Sequence, residues 1–359
     1  MVALRGAPAV KIWVEALTPK QVVLFSYLQA ELPGEAFLTT RDYDLNVELA
    51  RKLWRKFYVV GGYGGRSLSG KLKQSIERSR RLAQIALSEA PDVHVTFVSP
   101  DSSRVAFGLG IPIVTATDSP HSDAVNRLTL PLSKLTVVPS FAAQELSAYA
   151  GLTSFVVFEG VFELARVFRV EGPREHYAEE LGLEPFDYAV VRLGEEKSYY
   201  YPSRRAALEA PLRLAVHLLK STDLDLLVYP RYPDQARAAR LALAPWAQRV
   251  KFLQKPTDFL SLEFYAVLVV TGGGTMATEA ALLGTPAIST YPGRLSVFEY
   301  LKAKGFPLHT PPLSRRQLSL LVRQGRQPRS WEQVLAHLKE TFQDPIRVLA
   351  GAVRTAVEG

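Results

Sequence analysis

The chain has 359 residues and a formal net charge of +8, and 22% of its residues are charged. Its length suits two α/β domains better than one core, and its 47% apolar content argues against a disordered chain. The absence of cysteine excludes disulfides and thiolate chemistry. No segment approaches the ~20 apolar residues of a membrane-spanning helix, and the N-terminus lacks a signal-peptide core, so we expect a cytoplasmic protein.

The positive charge predicts an anionic partner, and nucleotides or a lipid surface are favoured over nucleic acid because basic residues are spread along the whole chain. One region is denser and comprises Arg51, Lys52, Arg55, Lys56, Lys71, Lys73, Arg78, Arg80 and Arg81. We interpret it first as a solvated helix face. The second interpretation is a patch that attaches the protein peripherally to a membrane, near a lipid-linked acceptor. Two Asn, two Met and 24 Pro are typical of a thermophilic protein.

Strand and helix patterns alternate through the first half of the chain. The predicted strands cover residues 10–15, 36–39, 57–60, 93–98, 111–115, 135–138 and 155–158. Thr18, Pro19 and Gln21 predict a helix start, because Thr18 can cap, Pro19 suits the first helical position and Gln21 completes a capping box. A long helix is predicted over 67–88. This alternation predicts a doubly wound parallel sheet.

The second half repeats the pattern after a polar segment at 169–185, which we interpret as a linker. Its predicted strands cover 188–193, 224–229, 250–253, 267–271 and 287–290. Its predicted helices cover 203–220, 233–243, 275–283, 295–304, 331–341 and 345–357. The predicted fold is therefore α/β, with two Rossmann-like doubly wound parallel-sheet domains, 1–168 and 169–342, that face a central cleft. The terminal helix in 343–359 would pack back on the first domain.

The strongest local signal lies in residues 271–286, where three glycines, Gly272, Gly273 and Gly274, follow an apolar strand and precede a helix that begins at Thr275. A helix start offers unpaired N–H groups and the positive end of its dipole, and glycines let phosphate oxygens approach the backbone. Glu279, one turn into the helix, could accept hydrogen bonds from ribose hydroxyls. A plain tight turn is the alternative. The pattern is neither a Walker loop nor a dinucleotide fingerprint.

The chain resembles the GT-B superfamily of glycosyltransferases and the related non-hydrolysing UDP-N-acetylglucosamine 2-epimerases. It is identified as a member of an uncharacterised, mainly archaeal family of unknown function within that superfamily. The resemblance covers nearly the whole chain, and its markers are residues 11–14, 40–44, 61–65, 70–72, 118–121 and 272–279.

The transferase resemblance implies that the donor diphosphate lies on the glycine-rich helix start and that Glu279, six residues after Gly273, binds ribose. It also implies that the backbone of Phe252 and Leu253 meets the base. The epimerase resemblance implies acid/base work by Asp101, Asp118 and Asp123. However, Val191 precedes Arg192 where the epimerases have a His-Arg pair, and a single Glu279 replaces their paired glutamates, which argues against epimerisation.

Individual residues carry further hypotheses. His121 lies between Asp118 and Asp123 in a strand-end segment, where it could act as a general base or donate to a substrate phosphate. The three aspartates could instead cap helices: capping is favoured for Asp101 and Asp123, and the two roles are balanced for Asp118. Arg192 could meet a phosphate, or pair with Glu195 or Glu196.

The remaining hypotheses concern loops. Gly64 and Gly65 belong to a Gly-Gly-Tyr-Gly-Gly segment that could close over a substrate or be a plain turn. Tyr199, Tyr200 and Tyr201 could stack on a ring or pack between domains. Arg294 follows Tyr-Pro-Gly and could face the cleft. No metal-ligand spacing occurs among the six His.

We therefore expect a glycosyltransferase that takes a nucleotide-sugar donor, with a UDP-sugar favoured, and needs no cofactor or metal. His121 or Asp118 would deprotonate the acceptor. The alternatives are a nucleotide-sugar epimerase and a non-catalytic nucleotide-sugar-binding protein.

Overall fold

The computed structural model describes residues 10–32, 34–62, 64–65, 67–196, 201, 203–253 and 258–358. Tertiary contacts divide the chain into two compact units. The first comprises Met1–Arg166 with Thr341–Gly359, and the second comprises Val167–Glu340. Each unit contains one parallel sheet.

The first sheet has seven strands. They are β1 Val10–Ala16, β2 Gly34–Asp42, β3 Phe57–Gly62, β4 Val93–Thr96, β5 Ile113–Ala116, β6 Leu135–Pro139 and β7 Ser154–Phe158. Their spatial order is β3-β2-β1-β4-β5-β6-β7, and every pair is parallel. All seven predicted strands are present, with ends that differ by a few residues.

Six helices connect these strands: α1 Pro19–Leu28, α2 Asn46–Leu53, α3 Leu68–Glu89, α4 Pro100–Gly108, α5 Asp123–Thr129 and α6 Ser140–Ala143. The predicted start of α1 is confirmed, since Thr18 Oγ1 accepts from the Gln21 N–H at 3.4 Å. The Gln21 side chain, however, accepts from Leu17 N at 2.7 Å. In a standard capping box the Gln21 side chain would accept from the N–H of Thr18, the N-cap, and here it accepts from the N–H one residue earlier.

The second unit contains six strands and most of the remaining helices. Helix α7, Leu164–Val167, lies at the boundary and belongs mostly to the first unit. The helices of the second unit are α8 His176–Glu179, α9 Arg204–Ser221, α10 Pro233–Ala242, α11 Phe259–Phe264, α12 Thr275–Leu282, α13 Ser296–Ala303, α14 Arg315–Gly325 and α15 Trp331–Thr341. The strands are β8 Tyr188–Arg192, β9 Asp225–Tyr229, β10 Val250–Phe252, β11 Leu268–Thr271, β12 Ala287–Ser289 and β13 Leu308–His309. They are parallel in the order β10-β9-β8-β11-β12-β13. Short 3-10 turns cover Gln29–Glu31, Leu130–Leu132, Ser147–Tyr149 and Ala244–Arg249.

The first sheet is covered on both faces, which explains its continuous apolar strands. Val14 packs in one cluster with Phe25 of α1, whereas its neighbour Trp13 packs on the opposite face with Leu82 of α3. The last helix, α16 Pro345–Glu358, lies on the Val14 face, where Leu349 joins the same cluster. The first unit is thus built from both ends of the chain.

Within the described ranges, no helix has the length and apolar character needed to cross a membrane.

Candidate functional site

In each sheet the strand order reverses once. Ligands of open parallel sheets bind outside the carboxyl ends of the strands at such a switch point. In the first unit the switch lies between β1 and β4, and in the second between β8 and β11. These two edges are therefore the candidate sites, and each is described within its own unit.

In the second unit, the glycine loop (residues 272–274) follows β11 at the switch point and leads into α12. A Cβ at position 272 would lie 2.3 Å from Cα of Gly194, so packing against that backbone requires glycine. At position 273 the nearest atom to a Cβ would be Thr271 Oγ1 at 4.0 Å. Gly272 is thus explained by packing, whereas Gly273 faces open space that a ligand can enter.

Hydrogen bonds from the surrounding residues fix the backbone of the glycine loop. Tyr201 Oη donates to the Gly272 carbonyl at 2.5 Å, and Ser289 Oγ donates to the Gly273 carbonyl at 3.0 Å. The Gly272 N–H donates to the Arg192 carbonyl at 3.0 Å. The N-cap, Gly274, has no side chain that could accept from the first N–H groups of α12. Those donors, at the positive end of the helix dipole, suit an anionic ligand.

The other predicted residues of the second unit surround this loop to different degrees. Arg192 ends β8, pairs in register with Thr271, and stacks over Tyr229 with its guanidinium 3.6 Å from the ring centre. Glu279 is half-buried on α12. Arg294 is exposed in the loop that follows β12, the neighbour of β11. Phe252 ends β10, from which β9 and β8 separate the glycine loop, and its ring lies under Arg240 at 4.1 Å.

In the first unit, the switch point holds a buried charged group that we call the Glu15 cluster: Glu15, Arg78 and Asp101. Glu15, near the end of β1, is fully buried and forms a short ion pair with Arg78 of α3. Arg78 Nε also donates to Asp101 at 2.9 Å. Burial raises the pKa of Glu15, and the charge of Arg78 opposes that shift.

The favoured interpretation of Asp101 as a helix cap is wrong. α4 begins at Pro100 with Ser99 as its N-cap, so Asp101 lies inside the first turn. Its carboxylate accepts instead from Arg78 and from Ser75 Oγ. A side chain from α3 thus decided its role.

Asp118 belongs to a second charged group at the same sheet edge, the Lys20 cluster: Lys20, Asp118 and Glu163. Lys20 Nζ lies 2.9 Å from Asp118 Oδ2 and 2.8 Å from Glu163 Oε1. Burial alone would lower the pKa of Lys20, but the two carboxylates outweigh it and raise that pKa. Burial alone would raise the pKa of Asp118, but the charge of Lys20 and its hydrogen bond outweigh burial, so that pKa is lowered. Asp118 is therefore a charged anchor at neutral pH and a weak base.

His121 and Asp123 lie elsewhere. Both are exposed, and Asp123 is the first residue of α5, where it pairs with Arg127 at 2.9 Å. The expected grouping of Asp118, His121 and Asp123 is thus divided, with Asp118 turned toward Lys20.

The Gly-rich segment after β3 lies at the same edge as the Glu15 cluster. Gly64 packs against the start of α3, where a Cβ would lie 3.0 Å from the Gly70 carbonyl oxygen. Gly65 has φ +78°, which favours glycine. Tyr63, which precedes these two glycines, and Tyr199 and Tyr200 of the tyrosine run lie outside the described residues.

Sequence reasoning did not find Glu15, Lys20 or Glu163. It named Arg78 as part of a solvated helix face, which is wrong for this residue, because Arg78 is buried and pairs with Glu15. Glu15 had one usable signal: it follows the apolar residues Ile12, Trp13 and Val14 of a strand, and a carboxylate at such a position is rarely buried without a partner. In the described part of the chain, no group of three or more His, Asp and Glu side chains could hold a metal ion.

Comparisons with known proteins agree with this architecture. The UDP-GlcNAc 2-epimerase of Methanocaldococcus jannaschii, solved with UDP-GlcNAc and UDP, matches 98% of this chain and 100% of its own, with a TM-score of 0.64 and 16% identity. The glycotransferase of kitacinnamycin matches 98% of both chains, with a TM-score of 0.58 and 15% identity. At such identities the likeness establishes the fold: two Rossmann-like parallel-sheet domains of the GT-B type.

The uncharacterized protein MJ0665 of Methanocaldococcus jannaschii is 30% identical over 312 residues, which cover 83% of this chain and 87% of that protein. The family model described as "Protein of unknown function (DUF354)" matches residues 10–330. The chain therefore belongs to the DUF354 family.

Proposed function

We propose that this protein is a nucleotide-sugar-dependent glycosyltransferase of the GT-B type, whose second unit binds the donor. The observation that carries the proposal is the open space in front of Gly273, at the start of an uncapped helix and at the switch point of the sheet. A turn alone would need only Gly272, which packing already explains. The unused space suits phosphate oxygens.

In this proposal the donor diphosphate accepts hydrogen bonds from the N–H groups of Gly274 and Thr275, because the Gly272 N–H already donates to the Arg192 carbonyl and the Gly273 N–H to Thr271 Oγ1. Arg192, in the strand beside the loop, adds a cation that stabilises the charge of the departing diphosphate. Glu279 accepts from the ribose hydroxyls, and the backbone at Phe252 and Leu253 meets the base. UDP is the favoured nucleotide, because the M. jannaschii epimerase of the same fold was solved with UDP-GlcNAc and UDP.

The acceptor is assigned to the first unit, whose charged groups would bind it and take its proton. Asp118 is a weak base because Lys20 lowers its pKa, which leaves the exposed His121 as the better candidate for proton removal. Asp101 and Asp118 would then serve chiefly to orient the acceptor.

One observation favours a nucleotide-sugar epimerase as the second candidate: Asp101 and Asp118 both lie at the carboxyl edge of the first sheet. Against it, Asp123 is exposed and paired with Arg127, and Val191 precedes Arg192 where the epimerases have His. The two activities differ in product. Transfer releases nucleoside diphosphate only with an acceptor, whereas epimerisation inverts a sugar stereocentre without one. Binding without turnover would support the third alternative, a non-catalytic protein.

The test is a melting-temperature screen against UDP-, GDP-, CDP- and dTDP-sugars. A ligand at about 100 times its Kd stabilises by about 2.7 kcal/mol, which should raise Tm by about 5–10 °C for a unit of this size. Gly273→Ala and Glu279→Ala should abolish or shrink the shift. Gly351→Ala is the matched control, because a Cβ at that position of α16 meets no atom within 4 Å and therefore causes no clash either.

If no nucleotide sugar raises the Tm of the intact protein, the proposal fails. It also fails if Gly273→Ala leaves the shift unchanged while the variant remains folded.

A further inference from the structure

The long helix α3 carries an apolar row on its exposed face, which we call the α3 row: Leu68, Leu72 and Ile76. The three side chains are 83%, 62% and 63% exposed. They are spaced four residues apart, so they lie next to one another along the helix. Single exposed leucines are ordinary, but a contiguous exposed row marks an interaction surface.

Positive charge flanks this row. Lys71 and Lys73 are exposed between its members, and neither has an ion-pair partner in the described part of the chain. Residues 68–76 contain no acidic residue. The first acid of the helix, Glu77, is already paired with Arg80 and Arg81 at 2.9 and 2.6 Å. The surface therefore joins apolar side chains to uncompensated positive charge.

We propose that α3 docks this protein on the surface of an anionic lipid bilayer. The row Leu68, Leu72 and Ile76 would insert among the lipid chains, while Lys71 and Lys73 would contact the negatively charged headgroups. A helix that combines an apolar face with flanking lysines is suited to the membrane interface, where headgroup attraction adds to apolar burial. An acidic protein groove would match the charge but would leave the row unexplained unless it were also strongly apolar.

The neighbouring face of the same helix reaches the candidate site. Ser75 and Arg78 of α3 contact Asp101, and Arg78 pairs with Glu15. The start of the helix, which carries Leu68, lies beside Gly64 at the carboxyl edge of the sheet. Docking through the row would therefore place this edge of the first unit near the bilayer. The use of an amphiphilic acceptor at this edge would rest on the proposed function, whereas the docking of α3 on a bilayer does not depend on it.

The experiment is flotation of the whole protein with vesicles, without nucleotide. Vesicles of equal parts phosphatidylglycerol and phosphatidylcholine are compared with vesicles of phosphatidylcholine alone. The protein should float with the anionic vesicles, bind the neutral ones weakly, and dissociate as salt is raised. Leu68→Ser, Leu72→Ser and Ile76→Ser combined should lower the partition coefficient at least about tenfold.

The matched control is the triple variant Leu128→Ser, Leu152→Ser and Leu241→Ser, which removes three comparably exposed leucines elsewhere. It should float like the parent. Lys71→Gln with Lys73→Gln tests the charge without touching the row and should weaken binding to anionic vesicles only. Circular dichroism checks that each variant is folded.

The proposal is overturned if the parent floats with neither vesicle, or if the control triple loses as much binding as the row variant. It is also overturned if sedimentation velocity shows that the row mediates self-association of the parent and the folded row variant still floats. Because no nucleotide is present, none of these outcomes depends on the melting screen.

Discussion

The first six strands of the first unit follow the same order as the six strands of the second, but different kinds of residue lie at the two switch points. Between β1 and β4 the first unit places buried charges, with Glu15 and Arg78 in contact. Between β8 and β11 the second unit places bare backbone, with Gly194 against Gly272. Strand order thus sets where a site can lie, and the side chains at that edge set its chemistry.

The difference has a physical consequence for each unit. Where Cβ atoms are absent, ligand oxygens can reach backbone N–H groups, so the second unit is suited to a phosphate. Where charges are buried and paired, removal of one partner leaves the other uncompensated, so the first unit is suited to rigid placement of polar groups.

The largest expected effect is at Arg78. Arg78→Ala would leave the fully buried Glu15 without its guanidinium and should lower the free energy of unfolding by about 3–5 kcal/mol. Urea unfolding measures it. The control is Arg80→Ala on the same helix, whose pair with Glu77 is exposed and should change stability little. Equal losses in the two variants would refute a structural role for the buried charge.

The next effect separates two neighbouring glycines. Gly272→Ala forces a Cβ against the Gly194 backbone and should cost about 1–3 kcal/mol, whereas Gly273→Ala meets no obstacle and should leave the unfolding free energy nearly unchanged. Thermal and urea unfolding of both variants measure the difference. If Gly273→Ala were as destabilising as Gly272→Ala, the glycine loop would be a packed turn rather than an open binding surface.

A smaller effect on stability is expected at Tyr201, which bonds the glycine loop. Tyr201→Phe removes the hydroxyl that donates to the Gly272 carbonyl and should cost about 1 kcal/mol. It should also weaken the nucleotide-sugar shift several-fold, because the loop loses its fixed orientation. Tyr177→Phe in the same unit is the control, since no hydrogen bond of its hydroxyl occurs in the described residues. A Tyr201→Phe variant with full stability and full ligand response would contradict this role.

The smallest effect concerns pH. Because Lys20 lowers the pKa of Asp118 in the folded protein, the unfolded chain takes up that proton more readily. The resulting stabilisation is fully present above the ordinary pKa of 3.8 and is lost as pH falls through the lower folded value. Asp118→Asn should therefore be less stable than the parent at neutral pH and should lose less stability on acidification.

Urea midpoints at a series of pH values test this expectation. Asp123→Asn, which alters only an exposed pair with Arg127, should follow the parent curve. If Asp118→Asn also followed the parent curve, Lys20 and Asp118 would not be coupled in solution.

Local patterns predicted the elements that have local causes. Thr18 and Pro19 begin α1 as expected, and the apolar runs of both halves form strands close to the predicted positions. The two-residue strand β13 was missed because it is too short to show a period. Helix α14 was missed although Ser314 and Gln317 form a capping box, a signal that was present in the sequence.

The two candidate sites also differ in how far local sequence predicted them. The glycine loop and the helix after it occupy one continuous segment, so the sequence alone predicted where a phosphate could be held, and strand order then placed that segment at a switch point. The charged clusters join residues far apart, such as Lys20 with Glu163, which are 143 positions apart. No periodicity encodes such a pair, because it forms only when parallel strands bring their carboxyl ends to one edge of the sheet. Tertiary structure alone therefore decided that Asp101 meets Arg78 and that Asp118 meets Lys20 rather than Asp123.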